Sequence, residues 1–255
     1  KPEDPARYLA RAKFLNMIFE RRKALADLSK AISIQADAAT YRARAALYGE
    51  LGDKPAAIAD LRAAQDLDPG DVGTLARLTT LIADTKGPND ALALIEPRIA
   101  DGGQDLAPLL SAKGTALART GDAEGALAAL DAAIAEKPGD GQLLNNRCWI
   151  KGTLNVQLDS ALKDCTRAIE LSDRVAAMAL DSRAMVYFRQ NRLDEALADL
   201  DAALEQRPSA ASSLYLRGIV RARAGKSKEG MADIADARLL SPEIDENYAR
   251  YGIRP

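Results

Sequence analysis

The sequence predicts an all-α solenoid of about seven helix-turn-helix units in series, closed by a short C-terminal capping helix. Three observations predict it. The 255 residues are 47% hydrophobic but only 4% aromatic, and alanine dominates, which suits helices that approach one another closely. No segment alternates apolar and polar residues with the period of two that marks a half-buried strand. The chain also repeats itself at a spacing of about 34 residues, a length at which one helical pair stacks on the next.

The repeat is clearest around Ala184, a small residue followed by Ala196, Ala203 and Pro208 at fixed offsets. The Ala196 position recurs as Ala24, Ala57, Ala91, Ala126, Ala161, Ala196 and Gly230, with gaps of 33 to 35 residues. The Ala184 position, eighth in the unit, reads Ala12, Ala45, Thr79, Gly114, Cys148, Ala184 and Gly218. The Ala203 position, twenty-seventh, reads Ala31, Ala64, Arg98, Ala133, Ala168, Ala203 and Ala237. Prolines close units at Pro69, Pro138, Pro208 and Pro242. The units fall at residues 5–36, 38–69, 72–103, 107–138, 141–173, 177–208 and 211–242, with the cap at 243–251, all in one solenoid.

Two units depart from the pattern. The third carries Thr79 and Arg98 at small positions, and Pro97 inside its second helix should bend or end it. The fifth has an extra residue near Thr153–Gln157, which should lengthen its inter-helix turn. Positions seven and twenty-three hold Arg11 and Asp27, Arg44 and Asp60, Arg147 and Asp164, Arg183 and Asp199, and Arg217 and Asp233. The two residues are present together or lost together, as at Leu78 and Leu94. Ion pairs within each unit are therefore expected, partly exposed and individually weak.

With these residues in register, nearly the whole chain resembles the tetratricopeptide-repeat family. The resemblance implies a right-handed superhelical solenoid whose concave face is lined by the first helix of each unit. It implies a protein–protein interaction scaffold, not an enzyme. Some members hold a chaperone's C-terminal carboxylate with Lys and Asn at positions five and nine of the first unit. Here the pairs read Leu9/Lys13, Arg42/Ala46, Ala76/Thr80, Ser111/Thr115, Asn145/Trp149, Asp181/Met185 and Tyr215/Ile219, and that activity is not implied. Residues 140–255, with Asn146-Arg147-Cys148-Trp149, Asp164-Cys165 and Ala249-Arg250-Tyr251-Gly252, also resemble the repeat tails of exported proteobacterial proteins with an upstream transglutaminase-like domain. That resemblance implies an alternative: the C-terminal repeat region of a larger exported enzyme, transglutaminase- or peptidase-like, with catalysis upstream.

Charge and composition narrow the function classes. Thirty-five basic and 37 acidic residues leave a net charge of -2, without the basic excess of a nucleic-acid binder. No apolar run approaches the ~20 residues of a membrane span. Histidine is absent, which removes His-based catalytic sites and His metal sites. No catalytic residue, metal or cofactor is predicted. The opening Lys1-Pro2-Glu3-Asp4 has no initiator Met and no signal-peptide pattern, and is expected to be that of a mature or excised segment.

Cys148 and Cys165 are the two cysteines. They fall at positions eight and twenty-four of the fifth unit, facing each other across its antiparallel helices, so a disulfide is expected. The alternative is two reduced cysteines acting as small core residues. A disulfide implies an oxidising compartment, a bacterial periplasm, against the alternative of the cytoplasm.

The inner-face positions of the fifth to seventh units supply Asn145, Trp149, Met185, Phe188, Arg189, Tyr215 and Arg223 as candidate ligand-binding residues. Aromatics, Met and Arg are the residue types of binding hot spots. The partner expected from them is a protein or an extended peptide with apolar anchors and some acidic character. The alternative is that they simply pack between neighbouring helices. At the other end, Pro5–Ile34 holds seven basic and two acidic residues, a local charge of +5, together with Phe14, Met17, Ile18 and Phe19. This is either a solvated basic face or a surface on which an upstream domain or a partner docks.

Overall fold

The computed structural model describes residues 4–103 and 105–255; Lys1–Glu3, the opening of the expected mature segment, lie outside the described residues. Fifteen helices form, with no strand among the described residues. They pair as α1 (Pro5–Met17) with α2 (Arg21–Ile34), α3 (Ala38–Glu50) with α4 (Lys54–Leu67), and α5 (Val72–Thr85) with α6 (Pro88–Ala100). Next come α7 (Ala107–Thr120) and α8 (Ala123–Glu136), then α9 (Gly141–Leu154) and α10 (Leu158–Leu171). The series ends with α11 (Asp173–Arg189) and α12 (Leu193–Gln206), α13 (Ala211–Arg223) and α14 (Ser227–Leu240), and the short α15 (Ile244–Ala249). The helices form two compact units, one ending at Ala116 and one beginning at Leu117, within α7.

Local chemistry sets the helix ends. Aspartates precede six helices, and Asp4, Asp37, Asp53, Asp71, Asp122 and Asp140 each accept a hydrogen bond from a first-turn backbone N–H. The turn inside each pair holds a residue in the left-handed region, which strongly favours residues without a bulky Cβ substituent. Gly52, Gly121, Gly225, Asn155 and Asn191 take that position, but in the first pair it is Phe19 at φ 61°.

Small residues then let each pair close. Ala24, Ala126, Ala161 and Ala196 are fully buried, as are Ala64, Ala133, Ala168 and Ala237. The seventh pair closes tightest: a Cβ added at Gly218 would stand 2.7 Å from the Gly230 carbonyl oxygen. In the third pair Thr79 serves as the small residue, buried, with its hydroxyl donating 2.8 Å to the Leu75 carbonyl. Pro97 does not end α6, which continues to Ala100, and Arg98 turns out of the interface to donate to the Gly102 carbonyl at 2.6 Å. The extra residue of the fifth pair lengthens α9 and not the turn. Its turn, Asn155–Gln157, has the same three residues as Leu51–Asp53 and Gln190–Arg192.

All five predicted Arg–Asp pairs form as two-point contacts, for example Arg183 Nε and Nη2 to the two Asp199 oxygens at 2.7 and 2.8 Å. Arg11, Arg44, Arg147 and Arg217 hold Asp27, Asp60, Asp164 and Asp233 in the same way. The aspartates are buried while the arginines keep part of their surface in solvent, so each pair is partly exposed as expected. The arginines also reach the preceding pair, through Ser29, Asp131, Thr166 and Asp201 respectively for Arg44, Arg147, Arg183 and Arg217.

Cys148 and Cys165 form a disulfide between α9 and α10, with Cα atoms 5.5 Å apart. Beside it lies the most buried charge cluster. Lys151, 4% exposed, donates 2.8 Å to Asp164 and 3.0 Å to the Ser160 hydroxyl, while Arg147 holds the same carboxylate.

Replacing Asp164 by Ala would leave Lys151 buried without its counter-charge, and such a loss costs on the order of 3 kcal/mol. Urea unfolding should show that destabilisation, and a distinctly smaller one for Asp27→Ala, whose partner Arg11 has a side chain 62% exposed. Equal effects at the two sites would contradict this account.

Candidate functional site

The sequence-predicted residues lie in the C-terminal compact unit, where α9 packs on α11 and α11 on α13. Asn145 and Trp149 come from α9, Met185, Phe188 and Arg189 from α11, and Tyr215 and Arg223 from α13. The fold brings Met185, Phe188 and Tyr215 into one apolar cluster with Trp149 packed against it, but not as an open surface. Met185 and Tyr215 are 0% exposed and Phe188 2%, within a cluster that also takes in Ile244, Tyr248 and Ile253 of the chain's own tail.

The tail packs through aromatic rings. Tyr248 lies 4.7 Å from Tyr215 between ring centroids, Tyr251 meets Trp149 edge-on at 5.8 Å, and Ile253 is buried in the same cluster. Polar contacts fasten it. The Tyr215 hydroxyl donates to Asp245 at 2.8 Å, and the Tyr248 hydroxyl donates to the Ser212 carbonyl at 3.0 Å. Arg189 donates to the carbonyls of Gly152, Thr153 and Tyr251, the last at 2.6 Å. Arg223 is exposed, with its guanidinium 4.2 Å from the centre of the Phe188 ring. Burial, then the Asp245 hydrogen bond, pushes the Tyr215 phenol well above its usual range.

What stays open lies nearer the helix starts. A cleft of about 580 Å³ is bounded by Gln142, Asn145, Asn146 and Trp149 of α9, and by Ala177, Met178, Asp181 and Ser182 of α11. Arg207, Ser209 and the start of α13 at Ala211–Ser213 complete it, with Ser241 and Ile244 at one end. Asn145 is buried and its Oδ1 accepts from the Ser182 hydroxyl at 2.9 Å. Asp181 is 9% exposed, and its buried Oδ1 has no hydrogen-bond partner.

Two of the seven predicted residues, Asn145 and Trp149, thus line open space. Asp181 and the serines of α13 were not singled out. The signal for Asp181 was an acid at an inner-face position, where its neighbours in the series are Asn145 and Tyr215. In the N-terminal unit the equivalent Arg42 is tied to Asp71 at 2.6 Å and Asp68 at 3.5 Å.

Burial pushes the Asp181 carboxyl up to about 6, opposed by the hydroxyls of Ser213 and Ser212 and by the Arg207 charge. The folded chain therefore holds this proton longer than the unfolded one. Its stability is full below about pH 4 and falls as the pH rises through the window to about 6. The loss above that window is on the order of 3 kcal/mol. Asp181→Asn cannot ionise, so its melting temperature should exceed that of the unaltered chain at pH 7 and approach it near pH 4. Parallel melting curves across that range would refute the assignment.

Comparison with known proteins agrees with this architecture. Sequence models of the tetratricopeptide repeat match residues 38–71 and 182–242. Over 74 residues the chain is 38% identical to bacteriophage adsorption protein A of Escherichia coli (strain K12), a stretch covering 29% of this chain and 8% of that protein. The chain thus spans only a small part of that relative's length. Among solved structures, a tetratricopeptide repeat protein from Parabacteroides merdae ATCC 43184 superposes with a TM-score of 0.53 at 18% identity, over 84% of this chain and 87% of that one. The type IV pilus biogenesis factor PilW gives 0.59 at 16% identity, over 82% and 96%. The APC/C hetero-tetramer Cut9–Hcn1 gives 0.64 at 15% identity, over 98% of this chain and 50% of that chain. Residues 38–71 and 182–242 are thus tetratricopeptide repeats, set in a chain of helical pairs whose fold is that of tetratricopeptide-repeat solenoids.

Proposed function

We propose that this chain is a protein–protein interaction scaffold that holds an extended peptide or a partner domain on the face formed by α9, α11 and α13. The observation that carries this reading is the cleft of about 580 Å³ between the first helices, open beside Trp149 and Asn145. Its walls mix apolar surface with amide and hydroxyl groups, the combination that accommodates a peptide backbone and anchors side chains. Asn145 and Trp149 contact the ligand directly, and Arg223 stands exposed at the edge. Met185, Phe188, Arg189 and Tyr215 support the face by fixing the tail. The tetratricopeptide-repeat fold is in general a non-enzymatic interaction scaffold. The Cys148–Cys165 disulfide supports an oxidising compartment, and we place the protein in a bacterial periplasm.

Peptides selected from a displayed library on the intact chain test this reading. Trp149→Ala should weaken their binding by roughly 1–3 kcal/mol with helical content preserved. Selected peptides indifferent to Trp149→Ala would move the binding face elsewhere.

One further observation favours a second role, as the repeat region of a longer exported enzyme whose upstream domain docks on residues 5–34. Phe19 is 74% exposed and held at positive φ, where other pairs place Gly or Asn. A bulky residue kept in that conformation is a mark of function. Phe14, Met17 and Ile18 are exposed beside it. Joined to such an upstream domain, the amides of residues 14–20 should exchange hydrogen more slowly than in this chain alone. Equal exchange in both would remove this reading.

A further inference from the structure

We infer that the cleft between α9, α11 and α13 is a cation-selective subsite, with Asp181 receiving the basic side chain of a bound peptide. The inference rests on the groove reading proposed above and gives it a chemical class of ligand.

The argument begins with an unmet bond. Asp181 lines the cleft, is nine-tenths buried, and has a buried carboxylate oxygen without a donor. Buried polar atoms are nearly always paired, and a group left unpaired calls for an account. The surrounding groups do not supply a full counter-charge. From α13, Ser212 and Ser213 offer hydroxyls; from α9, Asn145 offers a neutral amide whose oxygen is already taken by Ser182. From α15, Tyr248 faces Asp181 as a phenol whose pKa is raised well above its usual range, chiefly by burial and next by Asp181 itself. Arg207, after α12, is the nearest cation, but it is exposed and opposes the rise of the Asp181 pKa less than burial drives it.

Among the described residues lining the cleft, Asp181 and Arg207 carry charge. They differ in where they sit. Arg207 meets water, so an acid drawn to it is screened. Asp181 sits where the dielectric is low, so a cation reaching it gains most. The carboxyl is mostly ionised at pH 7, since its pKa is about 6. An incoming ammonium or guanidinium would pair with the Asp181 carboxylate where it meets the cleft, while Trp149 presents an aromatic surface to the alkyl stem. This reverses the acidic partner expected from the arginines. Arg189 spends its donors on carbonyl oxygens, and Arg223 lies over Phe188.

Trp149 is the single tryptophan and lines the cleft, so its fluorescence reads occupancy directly. The probes are blocked pentapeptides, acetyl-Ala-Ala-X-Ala-Ala-amide, with X as Lys, Arg, norleucine or Glu. Blocking removes the terminal ammonium, and a parallel peptide with a free N-terminus and X as norleucine tests that source alone. The Lys and Arg peptides should change the emission saturably, at least tenfold more tightly than norleucine or Glu. Asp181→Asn, checked for fold by circular dichroism, should erase that preference. Asp181→Glu should retain part of it. Binding of Lys should weaken as the pH falls through about 6. Equal binding of all blocked peptides, unchanged in Asp181→Asn, would overturn the cation assignment and leave the groove intact. A response to the free N-terminus alone would overturn the side-chain source. Silence of Trp149 with every peptide at millimolar concentration would overturn both the subsite and the groove.

Discussion

The arginine at the seventh position of the repeat is the constraint on which the stacking depends. A guanidinium carries five N–H donors in a rigid plane, and one side chain can bind two partners at fixed angles. Two donors meet the aspartate of the same pair, and the remaining edge reaches the preceding one. Arg147 and Arg217 do so through Asp131 and Asp201, and Arg44 and Arg183 through the hydroxyls of Ser29 and Thr166. One residue therefore fixes the angle within a pair and the offset between pairs. Where it is replaced, a part of the function survives: Lys113 lacks an aspartate in its own pair but still reaches Glu96 at 3.4 Å. Leu78, in the third pair, joins the apolar core instead.

The eleventh position tunes the same contact. Lys151 and Arg221 add a second cation to Asp164 and Asp233. Tyr48 and Tyr187 at that position instead place a ring under Arg44 and Arg183, each 5.9 Å from the guanidinium. Both solutions hold the arginine in place, one by sharing its carboxylate and one by covering its face.

The repeat, its small residues and its ion pairs were legible because each depends on residues a fixed distance apart in one unit. The second contact of each arginine was less legible, since its partners are chemically mixed. The candidate surface was legible only in part. Reading Met185, Phe188 and Tyr215 as open assumed that the inner face of the last pairs resembles that of any other pair. Tyr248, Tyr251 and Ile253 of the tail are apolar enough to need burial, and the adjacent face is where they find it. The expected C-terminal cap is thus also a lid over that face. Asp181 was hidden for another reason: its lone oxygen is unusual only once the neighbours that fail to reach it are known.

Repeats of this kind invite the idea that one unit can stand in for another, as bricks in a course. The seventh pair resists that view at two positions. A methyl group at Gly218 or Gly230 alone, such as Ala184 and Ala196 carry in the sixth pair, would lie 2.7 or 2.5 Å from a carbonyl oxygen of the facing helix. The last pair is drawn in more closely than a generic unit can be, and its tail is fitted to that closer spacing. The two helices of this pair are therefore matched to each other: a helix borrowed from the sixth pair would not close against its new neighbour at the spacing to which the tail is fitted.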